Sequence, residues 1–171
     1  TYQPQTQRTT CLNSGYGWYV PTTASASRTA CAVGHYCPAV SNPAQIACAK
    51  AYYQPNTKQT SCLQSEKGYY VDTAASSSRT ICEPGTYCPL DANEIYTDCP
   101  VGHYQDLSGQ SACLECESGY YAPDPGHVLC SHCEPGKFQH LTGQPDCLFC
   151  RDDNSVLYPD VEFVPNGATY F

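Results

Sequence analysis

Apolar residues are spread singly along this chain rather than gathered into faces. No stretch repeats them at the spacing of an amphipathic helix, and no apolar run approaches the roughly 20 residues that span a bilayer. The intervening segments carry Pro, Ser, Thr, Asn and Gln, which suit turns and short irregular strands. What recurs is a glycine followed two positions later by an aromatic ring. Glycine stands at 17, 34, 68, 85, 102, 119 and 136, with Ala51 the one exception. Tyr19, Tyr36, Tyr53, Tyr70, Tyr87, Tyr104, Tyr121 and Phe138 follow in step, at a constant period of seventeen. The pattern predicts short β-hairpins and loops stacked in a line, with little or no helix.

The cysteines fall on the same lattice. Cys99, Cys116, Cys133 and Cys150 keep the period of seventeen, as do Cys113, Cys130 and Cys147. A longer period is superimposed: residues 2–51 and 53–102 are identical at 24 of 50 positions, a displacement of 51, or three units. Eight consecutive units share C-x-x-G-x-[YF] followed by a second cysteine position. The glycine is expected to supply a positive φ or a close backbone approach. The aromatic is expected to cover a neighbouring disulfide or the next unit's ring. About nine units occupy residues 1–150, and residues 151–171 leave the lattice.

Composition explains why such a lattice is needed. Leu, Ile, Val and Phe number only 25 among 171 residues, whereas Cys numbers 14. So few aliphatics cannot build a large oily core, and order must come from cross-links, as in small disulfide-rich secreted domains. These numbers exclude a doubly wound enzyme, a helical bundle and a membrane-spanning segment. The net charge of −8 is a poor match for nucleic acid or an anionic membrane surface. With no Met and no signal peptide, the chain reads as a processed product or a segment of something longer. Secretion is inferred from cysteine usage.

The lattice suggests a pairing. If each first-position Cys bonds the second-position Cys 14 residues later, the bridges are Cys48–Cys62, Cys99–Cys113, Cys116–Cys130 and Cys133–Cys147. Where the first position is lost, at Ser14 and Ser65, the second is lost as well, at Arg28 and Arg79. Cys31 and Cys82 persist while their partners have become Gln45 and Tyr96. Those two units carry an extra cysteine, so Cys31–Cys37 and Cys82–Cys88 are the substitutes. A competing scheme joins Cys11–Cys31, Cys37–Cys48, Cys62–Cys82 and Cys88–Cys99, but it offers no natural pairing for the regular last third. The first scheme leaves Cys11 and Cys150 unpaired, pointing to more chain or to a disulfide between copies. Each loop would then fold back on itself, giving a rod roughly 100 Å long in which a unit touches only its neighbours.

Other chemistry competes with this ladder. The C-x-x-C pairs Cys113/Cys116, Cys130/Cys133 and Cys147/Cys150 look like zinc knuckles, but three knuckles cannot be divided into four-ligand sites. His35 and His103 occupy a position filled elsewhere by Trp18, Tyr52, Tyr69, Thr86, Tyr120 and Lys137, which reads as a variable surface. His127, His132 and His140 are expected to be solvated. Asp152-Asp153-Asn154 lacks the alternating spacing of a calcium loop. No triad, nucleophile elbow or phosphate-binding loop occurs, so no enzyme, metal or cofactor is expected. No N-x-[ST] sequon exists. The small hydroxylated runs of the cysteine-free units, Thr22, Thr23, Ser25 and Ser27 and then Thr73, Ser76, Ser77 and Ser78, suit O-glycosylation or plain solvation. In the tail, Val156-Leu157-Tyr158 and Val161-Glu162-Phe163-Val164 have strand character. They would open another domain or lend a strand to a neighbouring copy.

The run Cys99-Pro100-Val101-Gly102-His103-Tyr104…Cys113-Leu114-Glu115-Cys116 resembles the ephrin-receptor-like cysteine-rich repeat, akin to the first half of tumour-necrosis-factor-receptor modules. The resemblance covers about residues 1–150. It implies a bond between the first and second cysteines of the motif, and a place in receptor ectodomains or in large surface and appendage proteins. The cysteine-free units and the short C-x5-C loops depart from that pattern. The expectation is an extracellular structural protein, a disulfide-stiffened segment of a filament, appendage or surface stalk that self-associates end to end or continues in a longer chain. The alternative is a receptor-type ectodomain that binds a protein ligand along its side.

Overall fold

The computed structural model describes residues 2–3, 11–22 and 25–150. Among these residues there is no helix. Eight two-stranded antiparallel hairpins succeed one another, from Trp18–Tyr19 paired with Thr29–Ala30 to Lys137–Phe138 paired with Leu148–Phe149. Each hairpin is displaced by one lattice step from the last, and each strand is only two residues long. The lattice aromatic always lies in the first strand, so Tyr104 sits across from Leu114 and Tyr121 across from Ser131. An isolated bridge between Tyr2 and Leu12 continues the pattern one step earlier.

A tight turn starts each unit. In Glu83-Pro84-Gly85-Thr86 the Thr86 N–H donates to the Glu83 carbonyl at 3.1 Å, and Gly85 has φ +83°. Proline followed by a residue of positive φ is the signature of a type II turn. The same peptide stitches one unit to the next. The Gly34 N–H donates to the Gln54 carbonyl at 2.7 Å, while its carbonyl accepts from the Cys48 N–H at 2.8 Å. The equivalent bonds recur at every step, from Gly17 to Gly119 for the N–H and from Gly17 to Gly136, which accepts from Cys150, for the carbonyl.

The inward surface is made of sulfur, serine, amides and a few short apolar side chains. Ser14, Cys31, Cys48, Ser65, Cys82, Cys99 and Cys116 form one column, all essentially without exposure. Three positions beyond each lattice glycine a second column is buried: Val20, Cys37, Gln54, Val71, Cys88, Gln105, Ala122 and Gln139. The extra cysteines therefore use an inward position that already existed. Where glutamine fills it, the side chain closes its own loop. Gln105 Nε2 donates to the Ala112 carbonyl at 2.9 Å and its Oε1 accepts from the Leu107 N–H at 3.1 Å. Buried amides thus take the place that aliphatic packing fills elsewhere.

Two expectations are corrected. The units do not touch only their neighbours, because the tip of each regular loop lies back over the glycine two units earlier. A Cβ at Gly34 would run into the Ala75 carbonyl, and one at Gly102 into that of Gly143. Of the two partners expected for the lattice rings, a disulfide or the next unit's ring, no pairing of one lattice ring with another occurs among the described residues. The recorded ring pairs instead join them to other positions, as in Tyr70 against Tyr96 at 5.5 Å, edge to face.

The exception at Ala51 has a physical cause. At the same offset stands residue 92, in a C-x5-C unit whose loop is bonded instead to Ser65, Glu66 and Tyr69. Regular loop tips are left-handed at this place, as at Lys58, Ala75, Gly109, Gly126 and Gly143, but Ala92 is not. Room is left for one methyl group, although Ala51 still sits at φ +68°. Gly34→Ala is expected to cost about 2–4 kcal/mol, combining left-handed strain with overpacking. Ala51→Gly is expected to be neutral or to stabilise by about 1 kcal/mol. Thermal unfolding of the two variants under non-reducing conditions checks the contrast.

A cross-link ladder as the candidate functional site

Six disulfides join Cys31–Cys37, Cys48–Cys62, Cys82–Cys88, Cys99–Cys113, Cys116–Cys130 and Cys133–Cys147. Their Cα atoms lie between 5.7 and 6.3 Å apart, within the usual reach of a bridge. None of the four bridges of the competing scheme is formed. Cys11 and Cys150 are free and exposed. The knuckle cysteines from 113 to 147 are consumed in bridges, and among the described residues no cluster of His, Cys, Asp and Glu could hold a metal ion.

The hairpin explains why a sequence separation of 14 works. The first cysteine sits one turn before the first strand, the second immediately before the return strand, and antiparallel pairing brings them together. In the chain-entropy account such a loop contributes about 3 kcal/mol, and the shorter C-x5-C loop about 2 kcal/mol.

The two cysteine-free units are not left open. Arg28 Nη1 donates to the Ser14 carbonyl at 2.8 Å, and Arg79 Nη1 to the Ser65 carbonyl at 3.0 Å. These contacts span the same separation of 14 as a regular disulfide. Each guanidinium also lies on an aromatic face, Arg28 at 4.3 Å from the Trp18 centroid and Arg79 at 4.0 Å from that of Tyr69. Lys58 approaches the Trp18 ring as well, at 4.9 Å. Arg79 is further ion-paired with Glu66, and that hydrogen bond holds its guanidinium above the ordinary range against a small loss of hydration. Each such rung combines an exposed cation–π contact, about 0.5–1 kcal/mol, with a hydrogen bond from a charged donor, about 1.5–3 kcal/mol, and is comparable with the bridge it replaces.

The serines act on the following unit. The Ser65 hydroxyl accepts the Asn93 N–H at 2.8 Å, and the Ser14 hydroxyl accepts that of Asn42 at 3.1 Å. Asn93 is buried and fully used: its Nδ2 donates to the Tyr69 carbonyl at 2.9 Å, while its Oδ1 accepts the Leu90 N–H at 3.0 Å. Asn42 repeats the arrangement on Trp18 and Ala39. A serine–arginine unit and the C-x5-C unit after it are therefore one device. A disulfide at the serine would remove the hydroxyl that seats the next loop. Gln45 and Tyr96, in the vacated second-cysteine position, are also employed: Gln45 Oε1 accepts the Ala32 N–H at 2.9 Å, and Tyr96 packs on Tyr70. Burial, with Asp72, Tyr96 and Glu83 nearby, pushes the Tyr70 phenol up.

The position after the lattice glycine is thus more than a variable surface, since Trp18 and Tyr69 carry the arginine rungs there. Tyr120 stacks on His132 at 4.1 Å, and the two line a groove of about 390 Å³ with Tyr104, Glu117, Leu129 and Cys130. His35 and His103 each lie 3.0 Å from a backbone carbonyl, of Val33 and Val101. His127 is half-buried, and His132 and His140 are exposed.

The hydroxylated loops divide by accessibility. Thr22, Ser27, Ser77 and Ser78 are exposed. Ser25 is half-buried and bonded to the Ser27 backbone, and Ser76 is half-buried and bonded to Thr73. Thr23, Asp152-Asp153-Asn154 and the strand-like tail segments lie outside the described residues.

The roles of Arg28, Arg79, Asn42 and Asn93 escape sequence reasoning that treats each unit alone. The available signal is their joint recurrence at a displacement of 51. No family model matches the chain, and no curated protein matches it. The likeness to ephrin-receptor-like repeats therefore stands on the spacing of its own residues.

Peptide mapping of the non-reduced protein is expected to return the six bridges above. Ser65→Cys/Arg79→Cys is expected to form a seventh, read as an intact mass about 2 Da lower than the two thiols would give. The same variant strips the Asn93 N–H of its hydroxyl partner, a cost of about 1–3 kcal/mol. Chymotrypsin should then cleave at Leu90 or Tyr96 several-fold faster than in the wild type, despite the added cross-link.

Proposed function

We propose that the chain is an extracellular structural repeat protein, a segment or subunit of a filament, appendage or surface stalk. The observation that carries this reading is the unbroken backbone stitching from Gly17 to Cys150 at one fixed step. Uniform spacing suits linear extension, and interactions between successive units rather than a central core supply order. Dense disulfides fit an oxidising, secreted setting. Among the described residues no helix is long and apolar enough to cross a membrane.

The two free cysteines support end-to-end joining. Cys11 is a second-position cysteine and Cys150 a first-position one, so a bond from Cys150 of one copy to Cys11 of the next would be another rung of the same kind. Continuation in a longer chain would satisfy the same two positions. O-glycans, if carried, belong on the exposed Thr22, Ser27, Ser77 and Ser78, or on Thr73, which is exposed and shares a hydrogen bond with Ser76. The kinship with ephrin-receptor-like repeats is part of the same proposal and concerns the unit rather than any ligand.

Negative-stain images of the native material are expected to show linear or helical filaments. Discrete particles of single-chain size, together with a monomer band on a non-reducing gel, would remove the reading.

A further inference from the structure

Charge is divided along the chain in a way that the overall net value conceals. Residues 1–65 contain Arg8, Arg28, Lys50 and Lys58 and not one Asp or Glu. Residues 66–150 contain twelve carboxylates against Lys67, Arg79 and Lys137. All twelve carboxylates are exposed. Among the described residues only Glu66 and Glu134 are ion-paired within the chain. Arg28, Lys50 and Lys58 are exposed too, and two of them flank the Trp18 ring. The recorded hydrogen bonds and close backbone approaches reach no further along the chain than the step from Gly17 to Lys58. None of the carboxylates from Asp106 to Asp146 is ion-paired with a cation of the first half.

We propose that the first half, with Arg28 and Lys58 flanking Trp18 and Lys50 exposed elsewhere along it, is a docking surface for the acidic second half of another copy, so that copies associate head to tail by charge. It rests on the reading above in taking a second copy as the partner. Opposite fields steer encounter and fix direction, and like halves repel, so parallel side-by-side pairing is disfavoured. A central Trp beside Arg, ringed by polar groups, is the composition that concentrates binding energy at protein interfaces. An outside polyanion is the poorer fit, because the rest of the chain would repel it.

The test uses the full chain carrying Cys11→Ser and Cys150→Ser, so that no disulfide can join copies. Sedimentation velocity is expected to show association at about 25 mM salt that weakens at least about tenfold by about 300 mM. Lys50→Glu/Lys58→Glu is expected to be monomeric at low salt, as is Glu115→Lys/Glu117→Lys, with all six disulfides intact by mass. An equimolar mixture of the two reversed proteins is expected to regain a mixed complex. A wild type that stays monomeric at low salt up to about 1 mM, an association indifferent to salt, or reversed variants that fail to complement would overturn the proposal. So would binding of heparin in preference to self-association. Absence of filaments alongside salt-sensitive, charge-complemented association would sink the filament reading and leave this one standing.

Discussion

The constraint on which the rest depends is the passage of one loop over the backbone of a unit two steps away. At Gly34 the peptide turns with positive φ, donates forward to Gln54, accepts from Cys48, and lies beneath the carbonyl of Ala75. A side chain there would separate the layers. With layers held this closely, the interior is lined by sulfur, small residues and amides, with Val20 and Val71 its largest aliphatics. The low aliphatic content is thus a consequence of the spacing as well as a reason for the cross-links.

Within that frame a unit can be closed in three ways: by a disulfide across the whole hairpin, by a C-x5-C disulfide using the inward position after the aromatic, or by an arginine reaching back to a serine carbonyl. The second and third occur together, because the serine left by the third seats the asparagine of the second. The last third of the chain uses only the first way. The covalently closed region from Cys99 to Cys147 is consequently more constrained in its unfolded state than residues 14–98, where two rungs are non-covalent. Ala51 shows the same coupling from the opposite side, since the residue at the usual offset, 92, belongs to a C-x5-C unit whose loop is bonded elsewhere.

The hairpins, their step and the bridges of the regular last third were legible because each rests on a local rule: turn chemistry, period and fixed bridge reach. Two pairings stayed open for the first hundred residues until the structure joined Cys31–Cys37, Cys48–Cys62 and Cys82–Cys88. Paired loss of cysteines at Ser14/Arg28 and Ser65/Arg79 was legible as a loss but not as a replacement. A guanidinium reaching back across its hairpin to a carbonyl leaves no spacing signature in a single unit. Contacts between next-but-one units were likewise hidden, since the expectation of a nearest-neighbour array came from how repeat proteins usually pack.

The sequence by itself determined the repeat lattice, the class of short hairpins with little or no helix and the rungs of the regular last third, because period, glycine and cysteine each act over a short stretch of chain. Tertiary structure alone decided which residues stand in for the missing bridges, why glycine gives way at Ala51, and how exposed the divided charges are. Those depend on loops that meet from more than one unit away, as Lys58 does with Cys31 and Gly17, and on the solvent left around each side chain.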